Sequence, residues 1–96
     1  MSALDRLTQD YRAAFLRYLP RHDEVALARG YEIGRSAVAQ GVSVLDLAQV
    51  HHTVLLEVLD TSRPQDIAGV ATSASEFFLE VLATVDMTQR AFPPAD

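Results

Sequence analysis

Two adjacent histidines, His51 and His52, are the side chains in this sequence that most suggest chemistry. Imidazole rings bind metal ions, transfer protons and accept phosphoryl groups. Neighbouring residues on a helix point about 100° apart, so this pair cannot hold one metal ion together. Neither histidine has a His, Asp or Glu three or four residues away. We therefore predict no metal site and no bound cofactor.

The apolar residues around His51 indicate a buried or half-buried ring whose nitrogens bond to a neighbouring side chain. The candidate neighbours are Tyr31, Glu32 and Arg35. His52 lies at the edge of the same face, where it would reach solvent or a partner subunit. The phosphoacceptor histidine of a sensor kinase is normally followed by an acidic residue and then a proline, a pattern that neither histidine shows. A phosphotransfer or dimerisation domain of a sensor histidine kinase, phosphorylated on His51 or His52, is the alternative function.

The remaining polar residues form no catalytic constellation. Glu76 and Glu80 have the four-residue spacing of a solvated helix face. The sequence contains no glycine-rich loop for a phosphate and no sharp turn that would expose a nucleophilic serine. It also has no cysteine, which excludes disulfides and thiol catalysis. We predict that the chain is not an enzyme.

The length of the chain and its net charge limit the number of domains and the kinds of molecule it is expected to bind. The 96 residues predict a single domain over 1–96, small enough to gain stability from a partner. Eight basic residues, all arginine, against 13 acidic ones give a net charge of −5, which argues against nucleic acid and anionic membrane as ligands. No apolar run approaches the roughly 18 residues of a membrane helix, and no signal-peptide core is visible. We expect a cytoplasmic protein, either an excised fragment or a stand-alone adaptor.

Periodic apolar residues predict four helices, at about 3–19, 23–40, 44–59 and 65–92. Pro20 is expected to stop the first helix, and Gly41 to end the second in a left-handed conformation. Ser43 is placed to cap the third helix, Pro64 to stand in the first turn of the fourth, and Pro93-Pro94 to end it. Four helices with short joints predict an all-α, four-helix antiparallel bundle.

Four residues on or beside the apolar arcs are assigned structural roles. Gly30 and Gly34 lie four residues apart on the apolar arc of the second helix, and each costs about 1 kcal/mol of helix stability relative to alanine. Their placement predicts that another backbone approaches closely there. Arg35, at the border of that arc, is expected to brace a neighbouring helix, and His51 to serve as a core histidine.

The third and fourth helices carry more apolar residues than one bundle core requires. On the third helix, the predicted core stripe consists of Val44, Leu47, Ala48, His51, Leu55, Val58 and Leu59. The apolar residues that flank this stripe are Leu45, Val50, Val54 and Leu56. On the fourth helix, Leu79, Ala83 and Met87 form a line away from the core. Excess apolar surface of this kind predicts a symmetric homodimer.

Several segments also resemble a known family in their order and spacing. They are Tyr11, Phe15-Leu16-Arg17-Tyr18-Leu19, Tyr31-Glu32-Ile33-Gly34-Arg35, Gly41-Val42-Ser43, Asp46-Leu47, His51, Phe78-Leu79-Glu80, Met87 and Arg90. This pattern resembles the N-terminal domain of RsbU-type phosphoserine phosphatases, from about Tyr11 to Phe92. The sequence departs from it near the end, where many relatives have Pro-Phe-Glu-Met and then His-Arg-Gly, while this chain has Thr84-Val85-Asp86-Met87 and then Gln89-Arg90-Ala91.

The resemblance implies a non-catalytic helical domain that dimerises and receives a switch-type serine kinase. That binding would activate a PP2C-type phosphatase in stress and sigma-factor signalling, and the output domain is sometimes a sensor kinase instead. We expect the partner to dock on Glu24, Ala28, Leu79 and Ala83, because Ala28 stands among polar neighbours while Leu79 and Ala83 lie off the core stripe. The competing interpretation places Leu79 and Ala83 in the dimer seam. A small-ligand sensor with a pocket near His51 and Tyr31 is a further alternative.

Overall fold

The computed structural model describes residues 2–91, which form four α-helices and one short 3₁₀ turn. The helices are α1 (Ala3–Arg21), α2 (Glu24–Ala39), α3 (Val44–Thr61) and α4 (Ile67–Ala91), with the 3₁₀ turn at Pro64–Asp66. The described residues contain no strand, and the all-α prediction is confirmed. The expected end of the fourth helix at Phe92, and the Pro93-Pro94 pair, lie outside the described residues.

Short polar side chains cap the N-termini of the first three helices. The Ser2 hydroxyl accepts a hydrogen bond from the Asp5 amide at 3.1 Å, and the Asp5 carboxylate accepts one from the Ser2 amide at 3.3 Å. Asp23 and Ser43 accept one bond each from the third residue of α2 and α3. These bonds satisfy amides that have no partner within the helix, so each helix begins where its cap stands.

The end of the second helix follows the prediction, whereas the end of the first does not. Gly41 has the expected left-handed conformation, at φ 71°. Pro20 does not stop α1, which continues through it to Arg21 and ends at His22, at φ 49°. Proline removes one amide donor from the helix. In the last turn that loss breaks a single bond, and the His22 amide closes the turn by donating to the Tyr18 carbonyl at 2.8 Å.

The α2 and α4 helices pack side by side at their glycines. Gly30 lies against the ring of Phe77, and Gly34 against the backbone of Val81, so the two helices run parallel. A Cβ atom at position 34 would collide with the Val81 carbonyl oxygen. Consecutive helices run antiparallel, whereas α2 and α3 have no substantial packing within residues 2–91. The helices therefore alternate in direction along the chain as predicted. The departure from a simple bundle is that α2 and α4, which would lie on a diagonal there, pack directly against each other.

The core is built around Phe77 and includes a different face of α3 from the predicted one. The buried residues of α3 are Leu47, Val50 and Val54, whereas Val44 and Ala48 of the predicted stripe are exposed. The true core face is thus rotated by roughly 60° from the predicted stripe. Val50 and Val54 therefore belong to the core and do not count as excess apolar surface.

The α4 helix is also more apolar than the sequence analysis allowed. The segment Pro64–Arg90, with a mean hydropathy of 1.3 over its best window, is long and apolar enough to cross a membrane by length and composition alone. Core helices pass the same test. Ala74, Phe77 and Val81 of α4 are buried against the other helices, and 28% of the apolar window is buried inside the bundle.

Candidate functional site

His51 lies at the junction of α1, α3 and α4. Its Nδ1 atom is 2.9 Å from the Tyr11 hydroxyl oxygen, and its ring stacks on Phe78 with the centroids 4.2 Å apart and the planes at 9°. The ring is half-buried, and Tyr11 is fully buried. The prediction that a side chain of α2 bonds to His51 was wrong. The α3 helix packs against α1 and α4 and has no substantial packing with α2. Tyr31 of α2 lies instead beside α4, with its hydroxyl 4.0 Å from the Met87 sulfur.

Burial sets the protonation states of this junction. Desolvation, followed by the neighbouring His52, lowers the pKa of His51, and desolvation raises the pKa of Tyr11. Near neutral pH the imidazole is therefore neutral and the phenol protonated. With the imidazole proton on Nε2, the Tyr11 hydroxyl donates to Nδ1. One nitrogen of His51 is thus occupied, and His52 is the exposed ring of the pair.

A surface without charged residues covers the outer side of α3 and α4, next to the stacked His51 and Phe78. We call it the α3–α4 face. It consists of Leu45, Ala48, His52, Leu55 and Leu59 from α3, and of Ala71, Ser75, Phe78, Leu82 and Val85 from α4. The α3 positions repeat at spacings of three and four, which is the spacing of a coiled-coil seam. Leu45 is 78% exposed, and the larger apolar residues behind it are half-buried.

The four expected docking residues lie on the neighbouring helices α2 and α4, but they do not form one compact cluster. Glu24, Ala28 and Leu79 are exposed, and Ala83 is half-buried. Since Gly30 is level with Phe77, Ala28 and Leu79 lie within about two helical turns of each other, whereas Glu24 and Ala83 are roughly 18 Å apart along the axis.

The brace expected of Arg35 is made by a different arginine. Arg35 is exposed and forms no ion pair or side-chain hydrogen bond within residues 2–91. Arg12 instead reaches from α1 to α3, where its Nε and Nη2 atoms donate to the Glu57 carboxylate at 2.7 and 2.9 Å. This two-bond geometry is the more favourable form of an arginine–carboxylate pair. The pairing lowers the pKa of Glu57 through the hydrogen bond from Arg12.

A polar cluster that the sequence analysis missed joins the end of α1 to α4. The Ser73 hydroxyl is 3.0 Å from His22 Nε2, and His22 Nδ1 is 3.9 Å from the Glu76 carboxylate, which accepts a 2.7 Å bond from Tyr18. Burial and then Glu76 raise the pKa of Tyr18 to about 12. The order of Ser, His and Glu matches a hydrolase triad. Ser73, however, is 2% exposed inside α4, where the backbone amides are committed to the helix and offer no oxyanion site.

A cavity of about 460 Å³ lies between α1 and α2, away from the histidine pair, where Arg6, Asp10, Arg29 and Glu32 surround an apolar floor. Residues 2–91 bring no three His, Asp or Glu side chains together for a metal ion. The histidine junction and the α3–α4 face are therefore the features with the clearest functional geometry.

Residues 9–88 match the family described as phosphoserine phosphatase RsbU, N-terminal domain. The chain belongs to this family. As an RsbU N-terminal domain it is of the regulatory type and not the catalytic type. The matched residues contain most of α1, all of α2 and α3, and α4 as far as Thr88. No curated protein and no solved structure shows significant similarity to the chain.

Proposed function

We propose that this RsbU N-terminal domain is a protein-binding module that forms a homodimer and receives a switch-type serine kinase. By doing so it controls an attached or associated PP2C-type phosphatase in stress and sigma-factor signalling. Membership of the family supports the regulatory role. The surfaces of the bundle support the dimer and the docking of the kinase.

The distribution of charge is the observation that carries the proposal. Residues 44–91 contain seven acidic residues against two arginines, yet none of these nine side chains falls on the α3–α4 face. A second copy of the chain carries the same negative charge, so self-association favours a contact surface free of carboxylates. An uncharged apolar face meets its own copy without repulsion, as a two-fold interface requires. The occupant we assign to this face is a second copy of the chain.

Leu45→Asp tests the dimer. Leu45 is 78% exposed, so the substitution leaves the core intact while placing a carboxylate on the α3–α4 face of each protomer. We expect the dissociation constant, measured by sedimentation equilibrium, to rise at least tenfold, because two charges must be desolvated together.

Leu16→Asp is the matched control. Leu16 is 49% exposed on α1, away from the α3–α4 face, so this variant should dimerise like the wild type. Far-UV circular dichroism should show the same helix content for both variants. A Leu45→Asp protein that dimerises as tightly as the Leu16→Asp protein would disprove the assignment.

We assign the kinase to the side of the bundle formed by α2 and α4. Ala28 and Leu79 are the centre of this surface, with Glu24 and Ala83 at its ends. Leu79 is 67% exposed and lies outside the α3–α4 face, so the dimer leaves it accessible. An exposed leucine on α4 and an exposed alanine on the neighbouring α2, with Glu24 at the rim, fit an apolar contact with a polar border.

This surface is connected to the end of α4, the end from which an attached phosphatase would be controlled. The Tyr31 hydroxyl of α2 is 4.0 Å from the Met87 sulfur of α4, close to the last described turn. A kinase that shifts α2 against α4 would therefore change how the two copies of α4 present the segment from Met87 to Phe92, the latter lying outside the described residues.

Leu79→Asp tests the docking surface. We expect binding of the switch-type kinase, titrated by calorimetry, to weaken at least tenfold while sedimentation still shows a dimer, since an apolar contact is replaced by a charge. Val25→Asp is the control, because Val25 is 75% exposed on the side of α2 that faces α1. If Leu79→Asp dissociates the dimer instead, Leu79 belongs to the dimer seam and the docking assignment fails.

A further inference from the structure

The position of His52 within the α3–α4 face makes that face sensitive to protonation. Its ring is exposed in the single chain and is the third of five seam positions on α3, with Leu45 and Ala48 on one side and Leu55 and Leu59 on the other. We infer that acid dissociates the dimer through protonation of His52. This inference rests on the proposed dimer.

Two-fold symmetry makes the middle of the seam the critical position. In an isologous contact whose two-fold axis crosses the seam at its middle, the end residues meet those of the opposite end and the middle residue meets its own copy. Where the axis runs along α3, every seam residue meets its own copy. His52 is the middle position, so the two copies of this histidine approach each other. Neutral imidazoles are tolerated there, whereas two imidazolium rings would repel one another and would both lose water.

The surroundings of His52 provide no carboxylate that could neutralise the added charge. On its own helix the nearest titratable group is His51, whose Nδ1 is 2.9 Å from the Tyr11 hydroxyl of α1. The α4 helix contributes Phe78 and other uncharged residues to the face. Asp86 stands at the edge of the face and is paired with Arg90 at 3.1 Å. Glu57 lies on the other side of α3, paired with Arg12.

His51 supports the floor of the face behind His52. Its stacking on Phe78 is held by the bond to Tyr11, and burial favours its neutral form through a lowered pKa. The exposed ring of His52 stands at the seam, above this packing. The packing beneath it stays uncharged and intact.

The sign of the effect follows from proton linkage. The dimer excludes a proton that the monomer can bind, so lowering the pH through the normal range of histidine favours the monomer. If each protomer excludes one such proton, the dissociation constant rises by up to about 100-fold between pH 7.5 and pH 5.5. The overall charge works in the opposite direction, because protonating all three histidines reduces the net charge of −5 and with it the repulsion between protomers. Weaker association in acid would therefore point to the histidine at the seam and not to the overall charge.

The experiment is sedimentation equilibrium of the intact chain at pH 7.5 and 5.5, with circular dichroism at both values. The wild type should be dimeric at pH 7.5 and at least tenfold weaker at pH 5.5, with its helix content unchanged. His52→Gln, which cannot be protonated, should dimerise equally at both values. His52→Leu should dimerise equally at both values and more tightly than His52→Gln.

His22→Asn is the matched control, because His22 lies on the α1–α4 cluster and asparagine accepts its left-handed conformation. This variant should retain the full pH response. A wild-type dimer of equal strength at both pH values would overturn the inference and leave the dimer standing. A His52→Gln dimer that still dissociates in acid would also overturn it. A wild-type monomer at pH 7.5 would overturn the proposed dimer itself, and the inference with it.

Discussion

Replacing Gly34 with alanine is expected to lower the free energy of unfolding by about 2 kcal/mol. The new Cβ atom would collide with the carbonyl oxygen of Val81, which belongs to the α4 backbone and has no rotamer through which to move away. The α2 and α4 helices must therefore separate, and a forced separation in a packed core costs about 1–3 kcal/mol or more. The gain of about 1 kcal/mol in helix propensity offsets only part of this cost. Urea denaturation at a fixed protomer concentration measures the change.

Two other glycines provide a graded control for Gly34→Ala. At Gly30 the added atom would lie 3.0 Å from the edge of the Phe77 ring, so Gly30→Ala should cost less than Gly34→Ala. At Gly69 nothing lies within 4 Å, and Gly69→Ala should stabilise the domain by up to about 1 kcal/mol. If position 34 tolerated alanine as well as position 69, the α2 and α4 backbones could not be as close as described.

The close approach at these glycines could be predicted because glycine on the apolar arc of a helix has one main physical use. It costs helix stability, and the loss is compensated where a side chain would keep two helices apart. The sequence does not identify which helix approaches. That partner is α4, running parallel to α2, and short joints between consecutive helices do not determine such a pairing.

The partner of His51 was mispredicted because it depends on contacts between segments far apart in the chain. The hydrogen bond joins Tyr11 of α1 to His51 of α3, 40 residues away. The periodicity of the first helix already placed Tyr11 on its core side. Nothing in the spacing, however, places α1 rather than α2 beside α3. Only the arrangement of the helices decides between Tyr11 and Tyr31.

The face of α3 was misjudged for a different reason. Apolar residues surround most of this helix, so their periodicity does not define a single centre. Placing the centre near His51 made Val50 and Val54 appear superfluous, although both are buried. The cluster of His22 and Ser73 was missed because a serine within an apolar helix gives no signal that it is buried and bonded.

Replacing Phe77 with alanine is expected to have the largest effect of any single change in the core. Phe77 is 0% exposed, and its ring centroid lies 5.2 Å from that of Tyr11 and 5.7 Å from those of Phe15 and Tyr18. Truncation removes all three aromatic contacts and leaves a cavity, at a cost of about 3–5 kcal/mol. A small domain has only about 5–15 kcal/mol of stability in total, so the midpoint of thermal unfolding should fall by roughly 15–25 °C.

The comparison with Phe77→Leu shows whether the ring itself or only its volume matters. Leucine fills most of the space without the edge-to-face contact to Tyr11, at 86° between the rings, and should cost clearly less than alanine. Phe78→Ala should also cost less, because Phe78 is only half-buried. Equal losses for Phe77→Ala and Phe78→Ala would contradict the central place of Phe77. The expected order follows from the fold, because Phe77 alone lies between α1 and the glycine face of α2, while Phe78 points toward His51 and the proposed dimer surface.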